Sequence, residues 1–216
     1  MIEGNLTGTA KAKPVDGRTL RAQAKRERTR NEILDGAKQV FAEQGFHHAS
    51  ISDVIKAAQI SRGTFYLYFQ SKEAIFHELL EGFVQQLIDA VDVVDPHSED
   101  PTGQLVANIS RCVDLLFDNR FLAVVLLREG AVDADTAAML ERLQAFWLDM
   151  VAGALRNGAE AGMIRKVNEE VIATAVIGMI REVLYQYLVV DRLKVDSRTL
   201  VSASIVDFAL RGLMHR

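Results

Sequence analysis

Apolar residues recur along this chain at helical spacing, and no stretch shows sustained alternation. Ile33, Leu34, Ala37, Val40 and Phe41 fall on one helical face. Thr29-x-x-Glu32 just before them has the form of a capping box, and Gly45 just after supplies a stop. The spacing predicts a first helix ending near residue 44. Its start is open by a turn or more, because residues 19–30 are rich in Ala, Arg, Lys and Gln, which favour helix and can extend it backwards. Ser50-x-x-Asp53 is a second capping-box pattern, followed by the stripe Ile51, Val54, Ile55 and Ala58. Ser61 is placed to cap a short segment over 62–68, and Ser71 a much longer helix from residue 72. Two short helices joined by three or four residues form a helix-turn-helix pattern between Ile51 and Tyr68.

Further along, helical patterns cover 74–94, 103–119, 121–130, 135–161, 169–190 and 197–214. The intervening 95–102 holds two of the three prolines and reads as a connection. Hairpin turns and internal repeats are absent from the sequence, which argues against a sheet and against a solenoid. The expected fold class is all-α, with an N-terminal three-helix helix-turn-helix domain and a larger C-terminal helical domain. The expected division is a basic, partly disordered arm over 1–28, the helix-turn-helix domain over 29–76, and the larger helical domain over 77–216.

Charge sharpens this division. Residues 1–75 carry 12 Lys and Arg against 8 Asp and Glu, a net +4, whereas the remainder carries a net −8. The basic end is the candidate polyanion binder, since neutralising phosphates releases their counterions. With 49% hydrophobic and 25% charged residues the chain can bury a sizeable core. The longest uncharged run in the apolar stretches, 171–180, is far short of the roughly 18 residues of a membrane span. No charged start followed by an apolar stretch occurs at Met1, so the expectation is a soluble, cytoplasmic protein without membrane partners. Cys112 is the sole cysteine and reads as a small core hydrophobe. A phosphate-cradling glycine loop, an HExxH motif and a Cys and His cluster are all missing, and His47 and His48 lack partners at ligand spacing. Neither catalysis, nor a metal, nor a cofactor is expected.

The residues Ile33-Leu34, Ala37, Phe41-Ala42-Glu43, Gly45-Phe46, Ser52-Asp53-Val54, Ala57-Ala58, Ser61 through Phe69 and Ser71-Lys72-Glu73 together resemble the DNA-binding domain of the TetR family. Gln59 departs from the pattern, because the family usually places glycine in that turn. A non-glycine residue there implies a left-handed conformation at modest cost. The resemblance implies that the segment from Arg62 enters the major groove. Arg62 is then placed to pair with guanine, Thr64 to offer its hydroxyl or methyl group, and Gly63 to let the backbone approach. It also implies phosphate or sugar contacts from Arg30, Ser50, Tyr66, Tyr68 and Lys72, and a thymine-methyl contact from Leu67. Tyr66 and Tyr68 suit packing as well, and Phe65 and Phe69 belong to the small core. Lys11, Lys13, Arg18, Arg21, Lys25, Arg26, Arg28 and Arg30 form a basic arm, either following phosphates or merely solvated.

By the same resemblance, the helices over 169–190 and 197–214 pair with their copies in a homodimer, whose two-fold axis matches a palindromic operator in double-stranded DNA. Phe117, Phe121, Leu126, Met139, Phe146, Trp147, Met150, Met179 and Tyr185 sit on the helices that surround a ligand cavity in the family, which suits an apolar or aromatic effector. Arg128-Glu129 and Arg181-Glu182 are charges within apolar stretches, read either as polar anchors for that effector or as salt bridges between helices. The implied function is a ligand-released repressor. Non-specific architectural DNA binding is the alternative.

Overall fold

The computed structural model describes residues 17–127, 133–190 and 198–214, and among these residues every regular element is a helix. The all-α expectation is met. Lys11, Lys13, Arg128, Glu129 and Ser197 lie outside the described residues.

The first helix, α1, runs without a break from Gly17 to Gln44. Thr29 is therefore an interior residue rather than a cap: the Ala, Arg, Lys and Gln upstream propagate the helix, and the capping-box reading at Thr29 is corrected. Only the second half of α1 buries anything, through Ile33, Gly36, Ala37, Val40 and Phe41. The helix stops at Gly45, whose φ of +78° suits a residue without Cβ. Next come α2 (Ile51–Ala57) and α3 (Arg62–Tyr66), then α4 (Lys72–Asp89). Ser50, Ser61 and Ser71 cap them, each side chain accepting a backbone N–H three residues on. That is the capping expected from the sequence.

Five longer helices follow: α5 (Pro101–Asp118), α6 (Arg120–Leu127), α7 (Ala134–Glu160), α8 (Glu169–Leu188) and α9 (Arg198–Leu213). Residues 101 and 102, expected in the connection, already belong to α5. Asp100 caps the helix by accepting from the Gly103 N–H at 2.8 Å, and Pro101 takes the first turn, where its missing N–H is harmless. The most extensive helix packing is between α7 and α8, and α9 lies along α5. Arg198 at the start of α9 pairs with Asp118 at 2.9 Å and with Asp114 at 3.5 Å on α5.

A single apolar cluster runs from the small N-terminal module into the helical bundle. It joins Ile33, Phe41, Val54, Phe65 and Phe69 to Phe76, Leu80 and Phe83 on α4, then to Leu116, Leu122, Leu184 and Leu188. A boundary at residue 76 falls within α4, so this helix is shared by both halves. Phe121 on α6 bridges them directly, with its ring 5.8 Å from Phe41 and 6.2 Å from Phe76. A second cluster of Ala152, Leu155, Ile164, Ala173 and Leu213 closes the far end of the α7–α8 pair. Cys112 packs half-buried against the main cluster, and burial pushes its thiol up to about 11, in keeping with a core role. By length and composition α8 is apolar enough to cross a membrane. In the fold it packs against α7 and α6 instead and carries Arg181 and Glu182 on its exposed face.

Candidate nucleic-acid interface

The helix-turn-helix is built by local chemistry. At the start of α2, Ser50 and Asp53 satisfy each other: the Asp53 N–H donates to Ser50 Oγ at 3.2 Å, and the Ser50 N–H donates to Asp53 Oδ2 at 3.1 Å. The Ser50 hydroxyl also donates to that carboxylate, and these bonds hold the Asp53 carboxyl below the usual carboxylate range. Ser50, expected at a phosphate, is thus engaged in its own helix start. Between α2 and α3 the chain reverses through Gln59 at φ +54°, the left-handed conformation implied by the missing glycine. The turn also requires α1 and α2 to touch. A Cβ on Gly36 would lie 2.9 Å from the Ala58 backbone nitrogen, so only glycine permits this approach.

Ser61 holds the first turn of α3, accepting from the Thr64 N–H at 3.0 Å and sharing a 2.8 Å hydrogen bond with the Thr64 hydroxyl. Phe65, fully buried, anchors the helix from beneath. That leaves Arg62 and Gly63 facing solvent and Thr64 half-exposed beside them. Tyr66 is 47% exposed and Leu67 76% exposed, an apolar display that folding alone does not require. The Arg62 guanidinium lies 6.0 Å from the centroid of the Tyr66 ring. Tyr68 differs from its neighbours, since it is half-buried and packs against the main cluster.

Two expected backbone contacts have structural partners. Lys72 Nζ donates to the carbonyls of Phe46 at 2.8 Å and Ala49 at 3.1 Å and sits 4.6 Å from the Phe46 ring centroid, tying α4 to the loop before α2. Arg30 forms a two-pronged ion pair with Glu78 on α4 and lies 4.8 Å from the Phe69 ring centroid. The pairing raises the Arg30 pKa. Glu78 was not singled out from the sequence, because a partner 48 residues away leaves no local signal. The same holds for His77 on α4, whose Nε2 lies 2.7 Å from Asp133 Oδ2. Asp133 also caps α7 by accepting from the Thr136 N–H at 2.9 Å. The Thr136 N–H first, then His77, holds the Asp133 carboxyl down at about 2.

Of the nine residues expected to line an effector cavity, Phe117, Phe121, Leu126, Met139 and Trp147 pack on the main cluster. The Phe117 ring lies 4.9 Å from that of Tyr187, tilted at 58°, and under the Arg198 guanidinium, while Phe121 sits at the junction with α1 and α4. Met150, Met179 and Tyr185 are half-buried, and Phe146 lies 36% exposed with its ring against Trp147. Among the described residues, the buried Gln186 Oε1 has no hydrogen-bond partner. The Gln186 amide is oriented by its Nε2 donating to Glu182 at 2.7 Å, which leaves the oxygen turned inward.

The family model described as bacterial regulatory proteins, tetR family, matches residues 33–79, which span the helix-turn-helix and the start of α4. The HTH-type transcriptional regulator UidR of Escherichia coli K12 is 30% identical over 149 residues, covering 66% of this chain and 72% of that protein. This protein belongs to the TetR family of bacterial regulatory proteins. The curated relatives that it matches are transcriptional regulators. The fatty acid metabolism regulator protein of Bacillus subtilis is 27% identical over 189 residues, covering 86% of this chain and 95% of that one. In fold, the structure of the fatty acid degradation regulator FadR from Bacillus halodurans superposes with a TM-score of 0.68 at 23% identity, over 87% of this chain and 97% of that one. The TetR fold therefore extends over nearly all of the chain, whereas the family model covers only its DNA-binding end.

Proposed function

We propose that this TetR-family protein represses transcription by binding a palindromic operator as a homodimer, and that a small, largely apolar effector releases it. The observation that carries the DNA step is the first turn of α3: Arg62, Gly63 and Thr64 face outward from a helix pinned by the Ser61 cap and by buried Phe65. A rigid helix presenting a guanidinium, a bare backbone and a hydroxyl suits base edges in the major groove. Tyr66, Leu67 and the exposed edge of Tyr68 extend the surface to the adjoining sugars, phosphates and thymine methyl groups. Ser50, Arg30 and Lys72 serve chiefly by fixing the helices around it.

Dimerisation is supported by α8 and α9. They leave Val171 62%, Leu200 56% and Phe208 71% exposed in the single chain, apolar area that a second copy would cover. Release would follow from an effector with different affinity for two spacings of the α3 helices in the dimer. Shared α4 and the contacts of Phe121 with Phe41 and Phe76 offer a physical link between bundle and DNA-binding module. The unpartnered, buried Gln186 Oε1 suits an effector that is apolar overall but carries a hydrogen-bond donor. The fatty acid regulators among the relatives support the apolar part of that description. Binding to chromosomal DNA implies action in the cytoplasm.

The double variant Arg62→Ala, Thr64→Ala tests the DNA step. Each good base interaction supplies about 1–3 kcal/mol of discrimination. Operator affinity should fall by that amount for each of the two side chains truncated, while affinity for random duplex stays nearly unchanged. Equal losses on both would mean that α3 reads no sequence, leaving an architectural DNA-binding protein.

A further inference from the structure

The first turns of α1 present an unexplained feature. Every residue from Gly17 to Arg28 is exposed, so this stretch of helix buries nothing against the protein. The stretch is mostly polar, its one large apolar side chain, Leu20, being 53% exposed, and such a helix is poorly stable unless something else covers it. Its charges are also sorted. At about 100° per residue, Arg18, Arg21, Lys25 and Arg28 fall within an arc of roughly 80°, with Arg26 about 80° beyond its edge and Glu27 on the opposite side. Arg28 shares its charge with Glu32 at 3.1 Å, one turn further on.

The direction of this stripe follows from α1's other contacts. Gly36, at the edge of the same arc, is the residue that touches Ala58 at the end of α2. Arg30 and Phe41, about 120° or more around from the first arginine, face α4 and α6 through Glu78 and Phe121. The basic stripe therefore runs along the helix-turn-helix flank of α1, away from the bundle. From Arg18 to Lys25 the helix extends about 10 Å, close to a third of the roughly 34–36 Å turn of B-DNA.

We propose that the exposed N-terminal half of α1 is a second DNA-binding surface, whose Arg18, Arg21 and Lys25 hold phosphates flanking the half-site read by α3. This inference rests on the DNA-binding reading above. The stripe adds affinity and no base discrimination, because phosphates carry none. It extends the contacted duplex by about a third of a helical turn on each outer side of the operator.

The test is the full-length triple variant Arg18→Ala, Arg21→Ala, Lys25→Ala. Alanine preserves helix propensity, so circular dichroism and melting temperature should match the parent. Each phosphate contact contributes about 0.9 to the slope of log affinity against log salt, so six side chains in the proposed dimer should flatten that slope by about 5. Between 50 and 200 mM salt the parent should then lose about 10³-fold more operator affinity than the variant. Trimming the duplex to the half-sites alone should weaken the parent and leave the variant unaffected. An unchanged slope and an unchanged response to trimming would overturn the proposal, leaving a solvated helix or a surface for an acidic protein or an anionic membrane. Random duplex separates this from failure of the operator reading. If the parent selects no operator, a flatter slope for the variant on random DNA still supports the stripe, and identical slopes still overturn it.

Discussion

Replacing Gly36 with alanine probes how α1 carries the helix-turn-helix. The added Cβ would meet the Ala58 nitrogen at 2.9 Å and the Ala58 Cα and Cβ at 3.2 Å. Comfortable contacts lie at about 3.5–4.0 Å, so the end of α2 must retreat by about half an ångström. Two of these three atoms are backbone, which cannot swing aside as a long side chain would. Overpacking of this kind costs about 1–3 kcal/mol, while exchanging glycine for alanine inside a helix gains about 0.8–1 kcal/mol. The propensity gain can be measured separately. Gly82 in α4 is exposed, with nothing within 4 Å of an added Cβ, so Gly82→Ala shows the helix gain alone. The two variants should differ in stability by about 1–3 kcal/mol, with Gly36→Ala the weaker. For a chain of this size each kcal/mol moves the melting temperature by about 2–4 °C, read at matched protein concentrations. Ala58 caps α2 immediately before the Gln59 turn, so its displacement also moves α3. Titration of duplex DNA should show Gly36→Ala losing operator affinity and Gly82→Ala keeping it. Equal stabilities together with equal operator affinities would refute the close-approach argument.

Gln59→Gly should raise stability by up to about 1 kcal/mol. It removes a left-handed strain of about 1–2 kcal/mol at φ +54° but adds glycine's unfolded-state entropy. A lower melting temperature for this variant would show that the Gln59 turn is unstrained. For Asp133, the carboxyl is held down at about 2 by bonds from the Thr136 N–H and from His77. A depressed carboxyl stabilises the fold above its unfolded value near 4 and loses that contribution as pH falls through about 2. The advantage of the parent over Asp133→Asn, read as urea midpoints, should therefore be full at pH 7 and fade between pH 4 and 2. An advantage that persists undiminished at pH 2 would place its origin elsewhere than in the charge.

What the sequence made legible was local. Ser50, Ser61 and Ser71 each hydrogen-bond three residues ahead, and such caps depend on neighbours in the chain. Gln59 was readable because its turn position fixes its backbone conformation. Thr29 misled, since a capping pattern cannot start a helix that the residues upstream already propagate. Asp100-Pro101 carried a valid start signal, yet it lay within a proline-containing stretch that reads as a connection. Arg30 and Lys72 were found by resemblance, but their partners were not. Glu78 and the carbonyls of Phe46 and Ala49 become neighbours only when α1 and α4 pack together. For the residues expected to line an effector cavity, the degree of burial was not legible. Helical spacing marks a residue as apolar but does not tell an inward position from the exposed one of Phe146, or a cavity from the domain junction occupied by Phe121.

The most direct test of the central claim is selection of random duplex DNA by the full-length protein at physiological salt, followed by sequencing of the retained molecules. A regulator reading DNA through two copies of α3 should retain a palindromic motif with half-sites about one helical turn apart. Retention without any shared motif would contradict the account, because phosphate attraction alone would then explain the binding.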